Sequence, residues 1–353
     1  MGSFNGEILK AATFGESHGP GVGAVVEGVP AGIALERRTI QAELDRRRPG
    51  TSPLASARQE ADQVEILSGV AGGRTLGSPI ALLVRNVDAR SKDYSALADK
   101  FRPGHADYTF WRKYGLAPQP GGGRSSGRET VGRVAAGAVA RALLAPLGLA
   151  IAAYTIQVGR VKAMAIDPDF AREHPLRAAD PATAQAMVDE VMAARSAGDS
   201  VGGVLELVID GVPAGLGDPV FGKLDARLGG AMFSIGAVKG LEIGDGFAVA
   251  ARRGSANNDQ MDARGFLSNH AGGILGGISN GMPLVLRLAI KPTPSIAQAQ
   301  RTQNLEGQAV EISIGGRHDP CLCGRIAPVA EAMAALVLAD LWLMQKTQAR
   351  SEA

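Results

Sequence analysis

The sequence predicts an α+β fold assembled from repeated strand–helix units, and three observations carry that prediction. Strand-like and helical segments alternate along the 353 residues. The pentapeptide GVPAG occurs twice, at Gly28–Gly32 after AVVE and at Gly211–Gly215 after LVID. A strand ending in the same turn in each half suggests duplicated β/α units, the alternative being coincidence in a Gly- and Ala-rich chain. The long segment APVAEAMAALVLADLWLMQ (327–345) is apolar on most sides, as expected of a helix buried against a sheet or between subunits.

Taken in order, alternating or β-rich runs predict strands at 21–29, 64–70, 79–86, 202–212, 246–254, 283–290 and 309–316. Helical periodicity is clearest at 39–47, 129–148, 183–196 and 327–345. The Ala- and Asp-rich stretch 165–200 carries no motif and reads as a helical excursion, and residues 346–353 read as disordered. Length alone suggests about two domains, or one large unit.

Composition narrows the class. Hydrophobic residues make up 45% and charged residues 20%, enough apolar material for a sizeable core. A net charge of +2 excludes a general polyanion binder, so basic function has to come from local clusters. That small charge and the lack of a matching motif argue against nucleic-acid binding. The N-terminus lacks the pattern of a signal peptide. The run VAAGAVARALLAPLGLAIAA is interrupted by Arg141 and Pro146 and makes a poor membrane span. Two cysteines one residue apart form no disulfide framework, which points to a reduced, cytoplasmic enzyme.

The first candidate site is PGGGRSSGRET (120–130), directly before a predicted helix. Ser126 and Glu129 fit a capping box, so backbone N–H groups, two hydroxyls, Arg124 and Arg128 would converge as a phosphate requires. The plain alternative is a well-capped surface helix. In LDRRRPG (44–50), three arginines at a helix end could complement its negative terminus or reach a dianion. Segment 91–115 holds six of the 15 aromatics, as a mini-core or a stacking surface. Of five histidines, His18 and His105 lie in Gly/Pro turns that leave an imidazole accessible for acid–base work. GRHDPCLCGR (316–325) lacks the paired knuckles of a zinc site and the CxxC of a redox pair. Its more useful pair is Arg317, an anion clamp, and Asp319, a proton acceptor.

Together TFGESHGPGVGAVVEGVPAG, DRRRPGTS, FRPGHADY, GGGRSSGRET, SNHAGGILGGISNGMP, KPTPSI and GRHDPCLCGRIAPVAEAMAALVLAD resemble the chorismate synthase family, from about residue 8 to 345 and in the family's order. The resemblance implies a single domain over 1–353 with a β-α-β sandwich of pseudo-duplicated βαβ units, assembled as a homotetramer. It implies a shikimate-pathway lyase that eliminates phosphate 1,4-anti from 5-enolpyruvylshikimate 3-phosphate to give chorismate. The cofactor implied is reduced FMN, without net redox change; whether NADPH reduces it on the same enzyme stays open. An FMN-dependent flavin reductase is the alternative.

By the same resemblance, Arg124, Ser125, Ser126, Gly236, Ala237, Gly276, Lys291, Pro292, Thr293, Pro294, Ser295 and Arg317 match flavin contacts. Arg47, Arg48, Arg102 and Arg128 match positions that hold substrate anions, with Arg317 close by. His18 matches the proton donor to the departing phosphate and His105 the donor to the reduced flavin. Asp319 matches the carboxylate that deprotonates the flavin around N5. Two departures stand out: Pro53 replaces an Arg, for which Arg58 could compensate, and Pro294 replaces a Ser in KPTSS.

Overall fold

The computed structural model describes residues 2–50, 54, 60–87, 97–315 and 318–348. In the first half the order is β1 (Ser3–Asn5), β2 (Lys10–Gly15), β3 (Gly21–Glu27), α1 (Arg37–Arg47), β4 (Val64–Ile66), β5 (Ile80–Arg85), α2 (Asp107–Tyr114) and α3 (Thr130–Leu144). The second half begins with β6 (Ala150–Val158), β7 (Val161–Lys162), α4 (Pro168–Glu173), α5 (Pro181–Ser196) and β8 (Gly203–Asp210). It continues with α6 (Leu224–Phe233), β9 (Val238–Ile243), α7 (Gly254–Asn257), β10 (Leu284–Ile290) and α8 (Cys323–Gln348).

The first sheet has strand order β1-β2-β3-β5-β4 and the second β9-β10-β8-β6-β7. All their pairings are antiparallel. In each sheet a strand–helix–strand succession leaves room for one later strand: β3–α1–β4 around β5, and β8–α6–β9 around β10. The outer two strands are therefore parallel to each other, a split βαβ unit built twice. The GVPAG echo marks the same place in both. Gly28 follows β3 and Gly211 follows β8, with φ of 82° and 78°, a left-handed turn that glycine adopts without penalty.

Helices α3 and α8 lie between the sheets, α3 against β2, β3 and β5, and α8 against β6 and β8. Together with α1 and α6 they complete an α+β sandwich of sheet, helices and sheet. Strand patterning follows from this. Leu205, Leu207 and Ile209 of β8 oppose Leu288, Leu286 and Leu284 of β10, all fully buried. Glu206 and Arg287, on the other face of that pair, make an ion pair at 2.7 Å. Helix α8 is apolar all round because α1, α3, α6 and the second sheet surround it. By length and composition, stretches Gly127–Leu147 and Cys323–Gln348 could each cross a membrane, yet both are mostly buried inside the fold. At their crossing, a Cβ on Gly137 would stand 2.4 Å from Ala332 Cβ, closer than any side chain tolerates.

Two buried acids on α8 fasten the layers. Glu331 accepts from Ala153 N of β6 at 3.0 Å and pairs with Arg46 and Arg141. Asp340 accepts from the backbone N–H of Glu7, Ile8 and Leu9 at 2.9–3.0 Å and pairs with Arg227.

Two expectations need correction, and one strand was not anticipated. Residues 246–254 form no strand but a 3-10 turn, Gly246–Ala251, followed by α7. The apolar alternation there faces solvent, with Phe247 82% exposed, because β9 already ends its sheet. Residues 346–348 are not disordered but complete α8, and 349–353 lie outside the described residues. Strand β6 was hidden in an Ala-rich run continuous with α3; Gly148, with φ of 64°, ends the helical turns and lets the strand begin.

Candidate active site

The site gathers on the triglycine turn before α3. Gly121, Gly122 and Gly123 have φ of 62°, 85° and 51°, so the backbone takes a path closed to other residues. A Cβ on Gly121 would lie 2.2 Å from the His18 ring; one on Gly122 would meet Ser125 Oγ at 3.2 Å and Arg102 Nη2 at 3.5 Å. Glycine thus leaves a cradle that side chains would fill. Ser17 Oγ, buried, lies 3.0 Å from His18 Nδ1 and orients that ring. Ser125 Oγ donates to Gly122 O at 2.7 Å. Arg124 donates to Gly15 O and to Thr13 O and Oγ1, tying the turn to β2.

Ser126 caps as expected, its Oγ accepting from Arg128 N at 3.3 Å. The reciprocal half of the capping box does not form. Thr13 Oγ1 donates to Glu129 at 2.8 Å and Arg133 pairs with it at 2.9 Å, while Ser126 N turns to Gly123 O.

The three consecutive arginines go three ways. Arg46 joins the Glu331 network. Arg47 is 1% exposed and donates to Asp62 Oδ2 (3.0 Å), Gly127 O (3.1 Å) and Thr130 Oγ1 (3.1 Å). Burial, then the neighbouring charges of Arg325 and Arg128, pull its pKa down to about 9, against the pull of Asp62. Arg48 stays at the rim, 3.9 Å from Asp45 and partly exposed.

Arg128 shares Asp62 with Arg47 and also donates to Asn86 Oδ1 at 2.8 Å. Its Nη2 is buried and has no hydrogen-bond partner among the described residues, Glu60 Oε2 pairing with it at 3.6 Å. Such a donor is costly unless an anion meets it. Asp62 holds a left-handed φ of 46°, backbone strain at the carboxylate that joins the two arginines. Arg102 makes a two-pronged pair with Asp107 at 2.7 and 2.8 Å.

Around this core stand the second histidine and the KPTPS segment. His105 Nδ1 donates to Pro103 O at 3.0 Å, which leaves Nε2 to accept from Ser295 Oγ at 2.8 Å. Burial, and then Arg102, push its pKa down to about 4, so the ring is neutral at pH 7. Lys291 Nζ donates to Gly104 O at 2.7 Å, and Lys291 N to Ala237 O at 2.9 Å, which brings Gly236 and Ala237 alongside. Pro294 packs against Gly104, where a Cβ would be 2.8 Å away. Thr293 Oγ1 donates to Asp319 O at 2.7 Å, and Asp319 pairs through its carboxylate with Arg325.

Most of the residues singled out from sequence therefore meet. Gly276 stands apart on the turn of a short hairpin, where its neighbour Gly277 packs on Lys223. Arg317, Pro53, Arg58 and Tyr94 lie outside the described residues. The described aromatics of that segment cluster around buried Phe101, which sits 5.3 Å from Tyr108 and 5.2 Å from Trp111, while Tyr108, Phe110 and Tyr114 stay exposed. Cys321 and Cys323 are buried, Cys323 against Gly203 of β8. Sequence reading missed the organising acids Asp62 and Asp107, Ser17 beside His18, and Arg325.

A model of the chorismate synthase family matches residues 9–343. The chorismate synthase of Syntrophus aciditrophicus is 53% identical over 348 residues, covering 98% of both chains. That of Chloroflexus aurantiacus is 53% identical over 350 residues, covering 98% of this chain and 96% of the relative. A crystal structure of chorismate synthase superposes with a TM-score of 0.74 at 32% identity, covering 97% of this chain and 93% of that one. The chain belongs to the chorismate synthase family.

Proposed function

We propose that this cluster eliminates phosphate from 5-enolpyruvylshikimate 3-phosphate to yield chorismate, in a cytoplasmic homotetramer. The observation that carries the reading is Arg128 Nη2, a buried cationic donor with no hydrogen-bond partner among the described residues, beside Arg47 and the glycine cradle. A substrate with a phosphate and two carboxylates supplies what that donor lacks. Arg47 and Arg128, fixed by Asp62, and Arg102, fixed by Asp107, meet its charges without reorganising. Arg48 at the rim meets the ligand first.

His18, its Nδ1 held by Ser17, gives a proton to the departing phosphate in this reading. Asp319 accepts the proton lost from the carbon frame. The family depends on reduced FMN, and the residues present fit it: Lys291 to Ser295 and Gly236–Ala237 form one wall, and the cradle with Ser125 and Ser126 another. When bound, reduced FMN supplies transient electron density to the carbon frame. His105, neutral through burial, gains a partner for a proton once an anionic ligand enters. The tetramer reading is supported by solvent-facing Phe221, Val220, Phe247 and Met261, each more than half exposed.

The test is an anaerobic assay with photoreduced FMN and 5-enolpyruvylshikimate 3-phosphate. Phosphate and chorismate should appear in equal amounts with no nicotinamide consumed. Folded protein giving neither product sinks the proposal, and stoichiometric oxidation of NADPH would make the chain a flavin reductase instead.

A further inference from the structure

The duplication extends into the site. Helix α3 is preceded by Ser126-Gly127-Arg128, and its counterpart α8 begins Cys323-Gly324-Arg325, a small residue, a glycine and an arginine in both. Each arginine makes an ion pair with an aspartate, Arg128 with Asp62 and Arg325 with Asp319. Arg47 lies within electrostatic reach of both arginines and both aspartates, so the two pairs belong to one cluster. They differ in setting. Arg128 is nearly inaccessible and is held by Asn86 as well as Asp62, whereas the Arg325 side chain keeps 23% of its surface.

We propose that Arg325 is a positioning residue for the reaction: its guanidinium fixes the direction of the Asp319 carboxylate, the proton acceptor. Among the described residues Asp319 is held by two others. Its main-chain carbonyl is anchored by Thr293 of the KPTPS segment and its side chain by Arg325 on α8. A guanidinium in direct contact fixes a carboxylate's orientation as well as its position. Among the described residues, the other charged or titratable groups bearing on Asp319 are Arg47 from α1, the adjacent His318, and Cys321. His318 is itself held below the usual imidazole range by burial, so it stays uncharged near neutral pH.

The inference rests on reading Asp319 as the proton acceptor, and the experiment separates the two. Full-length Arg325→Met, Arg325→Lys and Asp319→Asn are assayed anaerobically with photoreduced FMN and 5-enolpyruvylshikimate 3-phosphate from pH 5.5 to 9. FMN affinity is followed by flavin fluorescence. Arg325→Met should lower kcat about 100-fold at pH 7 and change KM and FMN affinity less than about twofold. Arg325→Lys, which keeps a cationic donor, should restore most of kcat. If Arg325→Met does not fold, Arg325→Lys still tests the idea, since a loss as deep as that of Asp319→Asn would contradict it. An unchanged kcat in Arg325→Met beside an inactive Asp319→Asn overturns this inference alone. So does a raised KM with unchanged kcat, which would make Arg325 a substrate ligand. A normally active Asp319→Asn overturns both readings.

Discussion

His105 shows how much a single burial can decide. Unfolded, its ring takes a proton near pH 6.5; folded, only near pH 4. Acid therefore favours the unfolded chain, and the penalty builds as pH falls between those values, to roughly 3 kcal/mol. His105→Gln should flatten the fall in melting temperature between pH 6.5 and 4, leaving stability at pH 8 within about 1 kcal/mol; a parallel fall in the variant would contradict the assignment. At this scale the basic residues were legible by type and crowding, but their partners were not. Nothing in EADQVEI marks Asp62 as the acid between Arg47 and Arg128, because that contact is made by the fold across 15 and 66 positions. The three arginines of LDRRRPG look alike in sequence; the turn of α1 sends one into a buried network, one into the site and one to solvent.

Among the elements, the triglycine turn does more than precede a helix. It is the surface against which His18 rests. Gly121→Ala would add a methyl 2.2 Å from that ring and strain a left-handed position by about 1 kcal/mol. Turnover should fall at least about tenfold with FMN binding retained. The control is Gly127→Ala, whose methyl meets nothing within 4 Å and should leave turnover unchanged. Equal behaviour of the two would show that the close approach does not matter. The elements themselves were unevenly legible. Strands β8 and β10 read clearly because one face is buried and one is wet, whereas β2, β6 and β9 did not. Helices α2 and α6 were likewise missed, since the aromatic cluster and Gly-rich flanks blur the helical period.

For the molecule as a whole, the question is what makes two duplicated halves one body. Asp340 is the clearest answer, a carboxylate of the last helix that satisfies three N–H groups of residues 7–9. Asp340→Ala would strand those donors and Arg227, costing about 3 kcal/mol. In denaturant it should unfold earlier but still in a single transition, with Ser3–Leu9 the first segment open to protease; two separate transitions would mean the halves fold independently. GVPAG was the trace of the duplication recognised in the sequence; the shared Gly-Arg pairs before α3 and at the start of α8 become equivalent only once the fold aligns the two helices. That alignment also places their crossing. Helices α3 and α8 cross at Gly137 and Ala332, each about two turns from its start, and their first turns come together around Arg47. The aligned peptide dipoles of a helix leave its start positive. A polyanion entering between the two helix starts thus meets positive potential from the backbone itself, which no titration removes and no side-chain substitution deletes.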